Sequence, residues 1–190
     1  MLVFAMITSP AMPDKQDDII EKCIERIAEN DKEALALLYE KTHAAVYGFA
    51  LSILKNVQDA EDTVHDTYIR IWRGAAAYTP SGKPLAWIFT ITRNLARMRI
   101  REQSRIVTMA PEDWQTVFSD NPAMDQEDRM MLQFLLGILS DEERQIVILH
   151  AVSGMKHREI AALLDMGLST VLSKYNRAIK KLRKAIKEAA

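Results

Sequence analysis

Hydroxyl and cationic side chains recur near the C-terminus, in the segment REIAALLDMGLSTVLSKYNRA over residues 158–178. Hydroxyls bond to base edges in a DNA groove, whereas lysine and arginine pair with backbone phosphates. These residues therefore predict a surface for duplex DNA, and a helical hairpin with a solvated basic face is the plain alternative. The side chains that would meet the major groove are Thr170, Ser173, Lys174 and Arg177.

The elements that would position these side chains form a helix-turn-helix pattern. Ile160, Leu164 and Val171 have the spacing to make a small core between two short helices. Either Ser169 or Thr170 can cap the second helix, because a hydroxyl oxygen at that place accepts a backbone N–H of the first turn. The pattern predicts that this second helix enters the major groove.

Aromatic residues and arginines flank a Pro- and Gly-containing loop over residues 74–84. Single-stranded DNA needs this combination, because bases stack on aromatic rings and phosphates pair with cations. Trp87 and Phe89 are two residues apart on a predicted helix, so both cannot face the centre of the core, and one of them is expected there. These residues alone leave a single-strand surface and ordinary core packing both open. The aromatic and basic candidates are Tyr78, Trp87, Phe89, Arg93, Arg97, Arg99, Arg101 and Arg105.

The segment DAEDTVHDTYIRIW, residues 59–72, places several carboxylates and an apolar stripe on one predicted helix. Glu61 and His65 are four residues apart and can ligate a metal, but two ligands without a third do not make a site. A solvated acidic face is the plain interpretation. A docking surface for a basic or amphipathic protein partner fits these residues better than a metal does.

Catalytic chemistry has no support in the sequence. The four histidines, His43, His65, His150 and His157, are scattered, and no Gly-rich loop is present to hold phosphates. The single cysteine, Cys23, excludes an intramolecular disulfide, and its apolar-periodic surroundings predict a buried thiol. We therefore expect no catalytic residue, no metal and no cofactor.

Composition indicates helices. Of the 190 residues 48% are hydrophobic and 27% charged, with only six glycines and six prolines. Few turn residues favour long helices over a many-stranded sandwich or barrel. Helical periodicity occurs in two blocks, separated by residues 106–128, which hold acidic residues and no Lys or Arg. We predict an all-α fold of two small helical domains joined by an acidic flexible linker.

The predicted organisation is a disordered tail over residues 1–13, a first domain over 14–104, a linker over 105–128 and a second domain over 129–190. The net charge of −1 averages over acidic segments and basic helices. No run approaches the roughly 18 apolar residues of a membrane span. The opening residues also lack the basic start of a secretory signal. We therefore expect no membrane insertion and a cytoplasmic location.

Three segments, in this order, closely resemble the extracytoplasmic-function (ECF) sigma factors, the smallest bacterial RNA polymerase specificity subunits. DAEDTVHDTYIRIW, already described, is similar to their polymerase-binding helix in domain two. PLAWIFTITRNLARMRIR, residues 84–101, is similar to their helix for promoter melting and minus-ten recognition. Residues 139–183, from LSDEERQIVILHAV to NRAIKKLR, resemble domain four, which reads the minus-thirty-five element. The resemblance covers about residues 31–187.

The resemblance implies a polymerase subunit with no enzymatic activity of its own, and it assigns three groups of residues. Those implied to bind polymerase, on the β′ clamp coiled coil, are Asp59, Glu61, Asp62, Asp66, Tyr68, Ile69 and Trp72. Those implied to hold the non-template single strand of the minus-ten element are Tyr78, Trp87, Arg93, Asn94, Arg97 and Arg101. Those implied to read the minus-thirty-five duplex are Arg158, Ser169, Thr170, Ser173, Lys174, Arg177 and Lys181.

The implied partners are core RNA polymerase, through its β′ clamp and β, and promoter DNA, both as duplex and as non-template single strand. An anti-sigma factor that clamps the two domains is typical of the family. Three positions depart from the family pattern. Asp165 replaces the usual Gly of the helix-turn-helix turn, Leu172 stands where Lys or Arg is frequent, and His65 where Gln is common.

One alternative class is a stand-alone helix-turn-helix regulator, whose first domain would sense a signal or form a dimer. It leaves the Trp87 and Arg93 group and the acidic helix unexplained. Tight binding of duplex DNA without polymerase would favour it.

Overall fold

The computed structural model describes residues 13–103 and 134–189, and within these ranges it contains helices and no strand. The chain divides into an N-terminal and a C-terminal compact unit. The helical content and the two units confirm the predicted all-α fold of two small domains. The predicted linker over 105–128 and the predicted tail lie outside the described residues, except that Pro13 is the first residue of the first helix. No helix in the described ranges has the length and apolar character needed to cross a membrane.

The N-terminal unit has four helices in its described residues, and three of them pack around the second. They are α1 (Pro13–Ala28), α2 (Lys32–Leu54), α3 (Val57–Gly74) and α4 (Pro84–Gln103), with a short 3-10 helix at Ala75–Ala77. Every residue from 45 to 52 is buried, because the other helices surround this part of α2. Phe49 of α2 meets Phe89 of α4 edge to face, with ring centroids 5.4 Å apart.

α1 confirms the prediction for the single cysteine. Ile20, Ile24 and Ile27 are buried along one face of this helix, and Cys23 is buried with them. Burial raises the pKa of the Cys23 thiol, and so the thiol stays protonated.

Polar residues define the starts of α2 and α3. The Asp31 carboxylate accepts the N–H groups of Glu33 and Ala34 and so caps α2. α3 is capped by Asn56, whose side chain accepts the Asp59 N–H at 3.0 Å. Asp59 lies in the first turn, where a carboxylate is favoured by the helix dipole.

In the part of the C-terminal unit that the structure describes, three helices follow a helical stretch at 134–137. α5 spans Asp141–Val147 and continues as a π-helical turn over Ile148–Val152, α6 spans His157–Leu164, and α7 spans Leu168–Ala189. A capping box is present at the start of α5, where Ser140 and Glu143 satisfy each other's backbone N–H groups.

α6 and α7 form the predicted helix-turn-helix, with Ile160, Leu164 and Val171 buried between the helices. Asp165 adopts the left-handed conformation at φ 64°, which the family pattern assigns to Gly. The predicted cap at Ser169 or Thr170 is wrong, because α7 already begins at Leu168.

Three rings pack together at the base of this motif. The ring centroids of His150 and His157 are 4.0 Å apart, and that of Tyr175 on α7 is 4.8 Å from each. Nε2 of His157 is buried and has no hydrogen-bond partner among the described residues. Burial, with the nearby His150 ring, lowers the pKa of His157, and so the neutral ring is favoured.

Candidate polymerase and nucleic-acid interfaces

An aromatic pair lies where the loop 78–83 meets the start of α4. The ring centroids of Tyr78 and Trp87 are 4.9 Å apart, with 51° between the ring planes. Together with Lys83 and Thr90 they line an open cavity of about 400 Å³. Aromatic faces beside a cation provide stacking for a base and a counter-charge for its phosphate.

Glu21 of α1 fastens this loop to the rest of the unit. One carboxylate oxygen, Oε1, accepts the Tyr78 hydroxyl at 2.9 Å and the N–H groups of Ser81 and Gly82 at 3.1 Å each. Gly82 has φ 65°, a conformation that disfavours other residues. Burial and the Glu21 carboxylate together raise the pKa of Tyr78 to about 12, so its hydroxyl is a donor at neutral pH. Sequence reasoning missed Glu21.

α4 separates its aromatic residues into core and surface. Phe89 is fully buried with Ile88 on the inner face, whereas Trp87 is half-exposed, so one of the two rings belongs to the core. By helical spacing the outer face carries Trp87 and three exposed residues, while Arg93 lies half-buried at its border. The three exposed residues are Asn94, Arg97 and Arg101.

Tyr68 was predicted to face polymerase, and that placement is wrong. Its side chain is 6% exposed, and its hydroxyl lies 2.8 Å from the buried Thr42 hydroxyl of α2. Burial raises the pKa of Tyr68. The side chain therefore joins α3 to α2. On the outward side of α3, Glu61 is exposed while Ile69 and Trp72 are half-exposed.

Arg99 of α4 binds the other predicted docking carboxylates from within the same unit. Its Nη1 lies 3.0 Å from Asp62 Oδ2 and 3.6 Å from Asp59 Oδ1, and its Nη2 lies 3.8 Å from Asp66 Oδ2. Nη1 also donates to the Asp59 carbonyl oxygen at 3.1 Å. The acidic side of α3 is therefore partly neutralised by the helix that carries the aromatic and basic surface.

α7 presents most of the predicted groove-reading residues to solvent. Val171, Ala178 and Leu182 are buried against the unit. The predicted residues that are exposed, on α7 and at the start of α6, are Arg158, Ser169, Thr170, Ser173 and Arg177.

Two lysines of the predicted set are bound within the unit instead. Lys174 Nζ lies 2.5 Å from Glu142 Oε2, and Lys181 Nζ lies 2.6 Å from Glu143 Oε2. Glu143 is 2% exposed. Burial alone raises the pKa of this carboxyl, but the Lys181 ammonium and the Ser140 N–H outweigh burial and leave the pKa lowered. Lys181 therefore stabilises the start of α5, and its predicted contact with DNA stays a prediction.

Two further residues on the outward side of α7 are exposed: Leu172, which the sequence marks as a departure from the family pattern, and Asn176, which sequence reasoning missed. Helical spacing from the buried Val171 and Ala178 is the signal that identifies them. Among the described residues no three His, Cys, Asp or Glu side chains are grouped so that they can hold a metal ion.

Family models match both units. The model for Sigma-70 region 2 matches residues 38–106, and that for Sigma-70, region 4 matches residues 129–182. Together they cover more than half of the chain. The ECF RNA polymerase sigma factor SigK of Mycolicibacterium vanbaalenii is 29% identical over 175 residues, which span 88% of this chain and 89% of that protein. SigK of Mycobacterium ulcerans is 29% identical over 182 residues, spanning 92% and 96%.

Solved structures share the fold. CnrH in complex with the cytosolic domain of CnrY has a TM-score of 0.56 at 22% identity, covering 90% of this chain and 99% of that one. The sigma factor RpoE in complex with the anti-sigma factor NepR from Bartonella quintana has a TM-score of 0.55 at 25% identity, covering 80% and 97%. With regions 2 and 4 both matched and SigK proteins similar over nearly the whole length, the chain belongs to the ECF sigma factor family, whose members are specificity subunits of RNA polymerase rather than enzymes.

Proposed function

We propose that this sigma factor binds core RNA polymerase and directs initiation at promoters with a minus-ten and a minus-thirty-five element. The observation that carries the proposal is the cavity lined by Tyr78 and Trp87. It lies at one end of the α4 face that bears Asn94, Arg97 and Arg101. An unpaired base would stack in the cavity, and the following phosphates would meet the arginines along α4.

The Glu21 contacts support this assignment. A flexible loop would lose conformational entropy when DNA bound, whereas three hydrogen bonds to one oxygen hold this loop in place beforehand. The cavity is therefore preorganised for a base. Melting is favoured because the captured base is stabilised outside the duplex.

Polymerase would dock on the outward side of α3. Trp72 and Ile69 supply a half-exposed apolar surface beside the exposed Glu61, which suits an amphipathic helical partner such as the β′ clamp coiled coil. The C-terminal unit would read the minus-thirty-five element as duplex through α7 and would contact β. An anti-sigma partner is also proposed, with support from the likeness to RpoE in its complex with NepR.

Run-off transcription tests the proposal. Core polymerase is incubated with a pooled promoter library, with and without the protein, and transcript starts are mapped. Starts that appear only with the protein, downstream of two shared sequence elements, would support it. Duplex binding by the free protein, together with no protein-dependent start, would favour a stand-alone regulator.

Two tryptophans form a matched pair of variants. We expect Trp87→Ala to reduce open-complex formation, measured by permanganate reactivity of unpaired thymines, without changing the affinity for core polymerase. Trp72→Ala should show the opposite pattern, with weaker polymerase binding. If Trp87→Ala weakened polymerase binding and left melting unchanged, the assignment of the cavity would be wrong.

A further inference from the structure

The two sides of the α7 recognition surface differ in charge. On one side two lysines form ion pairs with α5. Lys174 Nζ lies 2.5 Å from Glu142 Oε2, and Lys181 Nζ lies 2.6 Å from Glu143 Oε2. The other side carries no charged residue over the first turns. It presents three exposed uncharged residues at i, i+4 and i+8, namely Leu168, Leu172 and Asn176.

Leu172 is the unusual member of this surface. Its side chain is 40% exposed, although the same helix buries Val171 next to it. Ser169 and Ser173 lie three residues before it and one after it, and both are exposed. An exposed apolar side chain therefore lies along one side of the surface that the proposed function places against base edges, between Leu168 and Asn176 and next to the exposed Ser169.

Base edges in the major groove offer one apolar group, the C5 methyl of thymine. Lysine or arginine at this place would select the O6 and N7 acceptors of guanine, whereas leucine makes no hydrogen bond and gains only from apolar contact. Burying a methyl group against leucine removes apolar surface of both from water.

We propose that Leu172 contacts the C5 methyl of one thymine in the minus-thirty-five element and so selects an A·T pair at that position. The proposal rests on the proposed function, because it requires α7 to lie in the major groove of that element. It makes Leu172 a specificity-determining residue.

Replacement of thymine by deoxyuridine tests the contact atom by atom, because it deletes the methyl and keeps every hydrogen-bonding group. Holoenzyme formed with the full-length protein is assayed on a promoter taken from the library, with each thymine of the minus-thirty-five element replaced in turn on either strand. We expect one position at which deoxyuridine lowers the rate of open-complex formation by about fivefold.

The same deoxyuridine promoters, assayed with the Leu172→Ala variant, complete a double-mutant cycle between the side chain and the methyl group. This variant should be about fivefold slower on the natural promoter and should lose nothing further at that deoxyuridine position. Asn176→Ala is the matched control one turn away, and it should keep its sensitivity to the missing methyl. Thermal melting establishes that both variants are folded.

Failure of this proposal is distinguishable from failure of the proposed function. If the holoenzyme depends on the minus-thirty-five sequence but every deoxyuridine effect persists in Leu172→Ala, the contact is refuted while the sigma activity stands. A minus-thirty-five element that is recovered from the promoter library and contains no A·T pair would also refute the Leu172 contact. If scrambling the minus-thirty-five duplex changes nothing, the placement of α7 itself is wrong.

Discussion

Replacing Lys181 with Met removes the ammonium that pairs with Glu143 and keeps much of the aliphatic chain. The carboxylate is 2% exposed, so water does not readily replace the lost partner. Removing one partner of a buried polar pair costs about 1–3 kcal/mol, and more when the remaining group is charged. Because Lys181 is 41% exposed and the Ser140 N–H remains 3.0 Å from the carboxylate, we expect about 2 kcal/mol.

Hydrogen exchange on the full-length protein measures this change locally. A loss of about 2 kcal/mol lowers the protection of amides in α5 and α7 by about 30-fold. Amides in α2 and α3 belong to the other unit and should keep their protection. The matched control is Lys174→Met, because its partner Glu142 is 49% exposed. This control should cost no more than about 1 kcal/mol.

The pH dependence follows from the lowered pKa of Glu143. A carboxyl whose pKa is lower in the folded state binds fewer protons there than in the unfolded state. Its stabilisation is therefore complete above the ordinary value of 4.5 and is lost as the pH falls through the lowered pKa. The difference between the wild type and Lys181→Met should shrink below that ordinary value. Equal effects of the two lysine substitutions at pH 7 would refute the reasoning.

Asp165→Gly should stabilise the protein by up to about 1 kcal/mol, because φ 64° suits glycine better than aspartate; a lower melting temperature would contradict this. In His157→Phe, the α6 amides should lose less hydrogen-exchange protection than in the wild type as the pH falls below 6.5. The reason is that the pKa of His157 is lowered in the folded state, so protonation of the wild-type ring favours unfolding. An unchanged pH profile of hydrogen exchange would count against that effect. Tyr78→Phe should weaken holoenzyme binding to a minus-ten single strand about fivefold by removing one of the three hydrogen bonds that hold the loop to Glu21, and unaltered fluorescence anisotropy would show that this hydrogen bond is dispensable.

Features that depend on neighbours along the chain were predictable. The capping box at Ser140 and Glu143 and the left-handed turn at Asp165 each depend on residues within one helical turn. The cap of α7 was expected from the same kind of local pattern at Ser169 or Thr170, but the helix already begins at Leu168.

Contacts between distant residues were not predictable, because the sequence shows a charge without its partner. Glu21 lies about sixty residues before the loop that it holds. Arg99 belongs to a run of arginines that all suggested DNA, yet its position on the inner side of α4 directs it to carboxylates. Tyr68 shared a predicted stripe with Trp72, but Tyr68 alone is close enough to α2 to reach Thr42.

The Arg99 cluster has a consequence for how this protein can change over evolutionary time. The Arg99 guanidinium pairs with Asp59, Asp62 and Asp66 together, so a substitution at any one of these acidic positions alters the electrostatic environment of the other two. In a library randomised at these four positions, the charges at position 99 and at the three α3 positions should therefore be correlated among functional clones. Sequence change on α3, the helix proposed to bind polymerase, should then limit sequence change on α4, the helix proposed to bind the promoter.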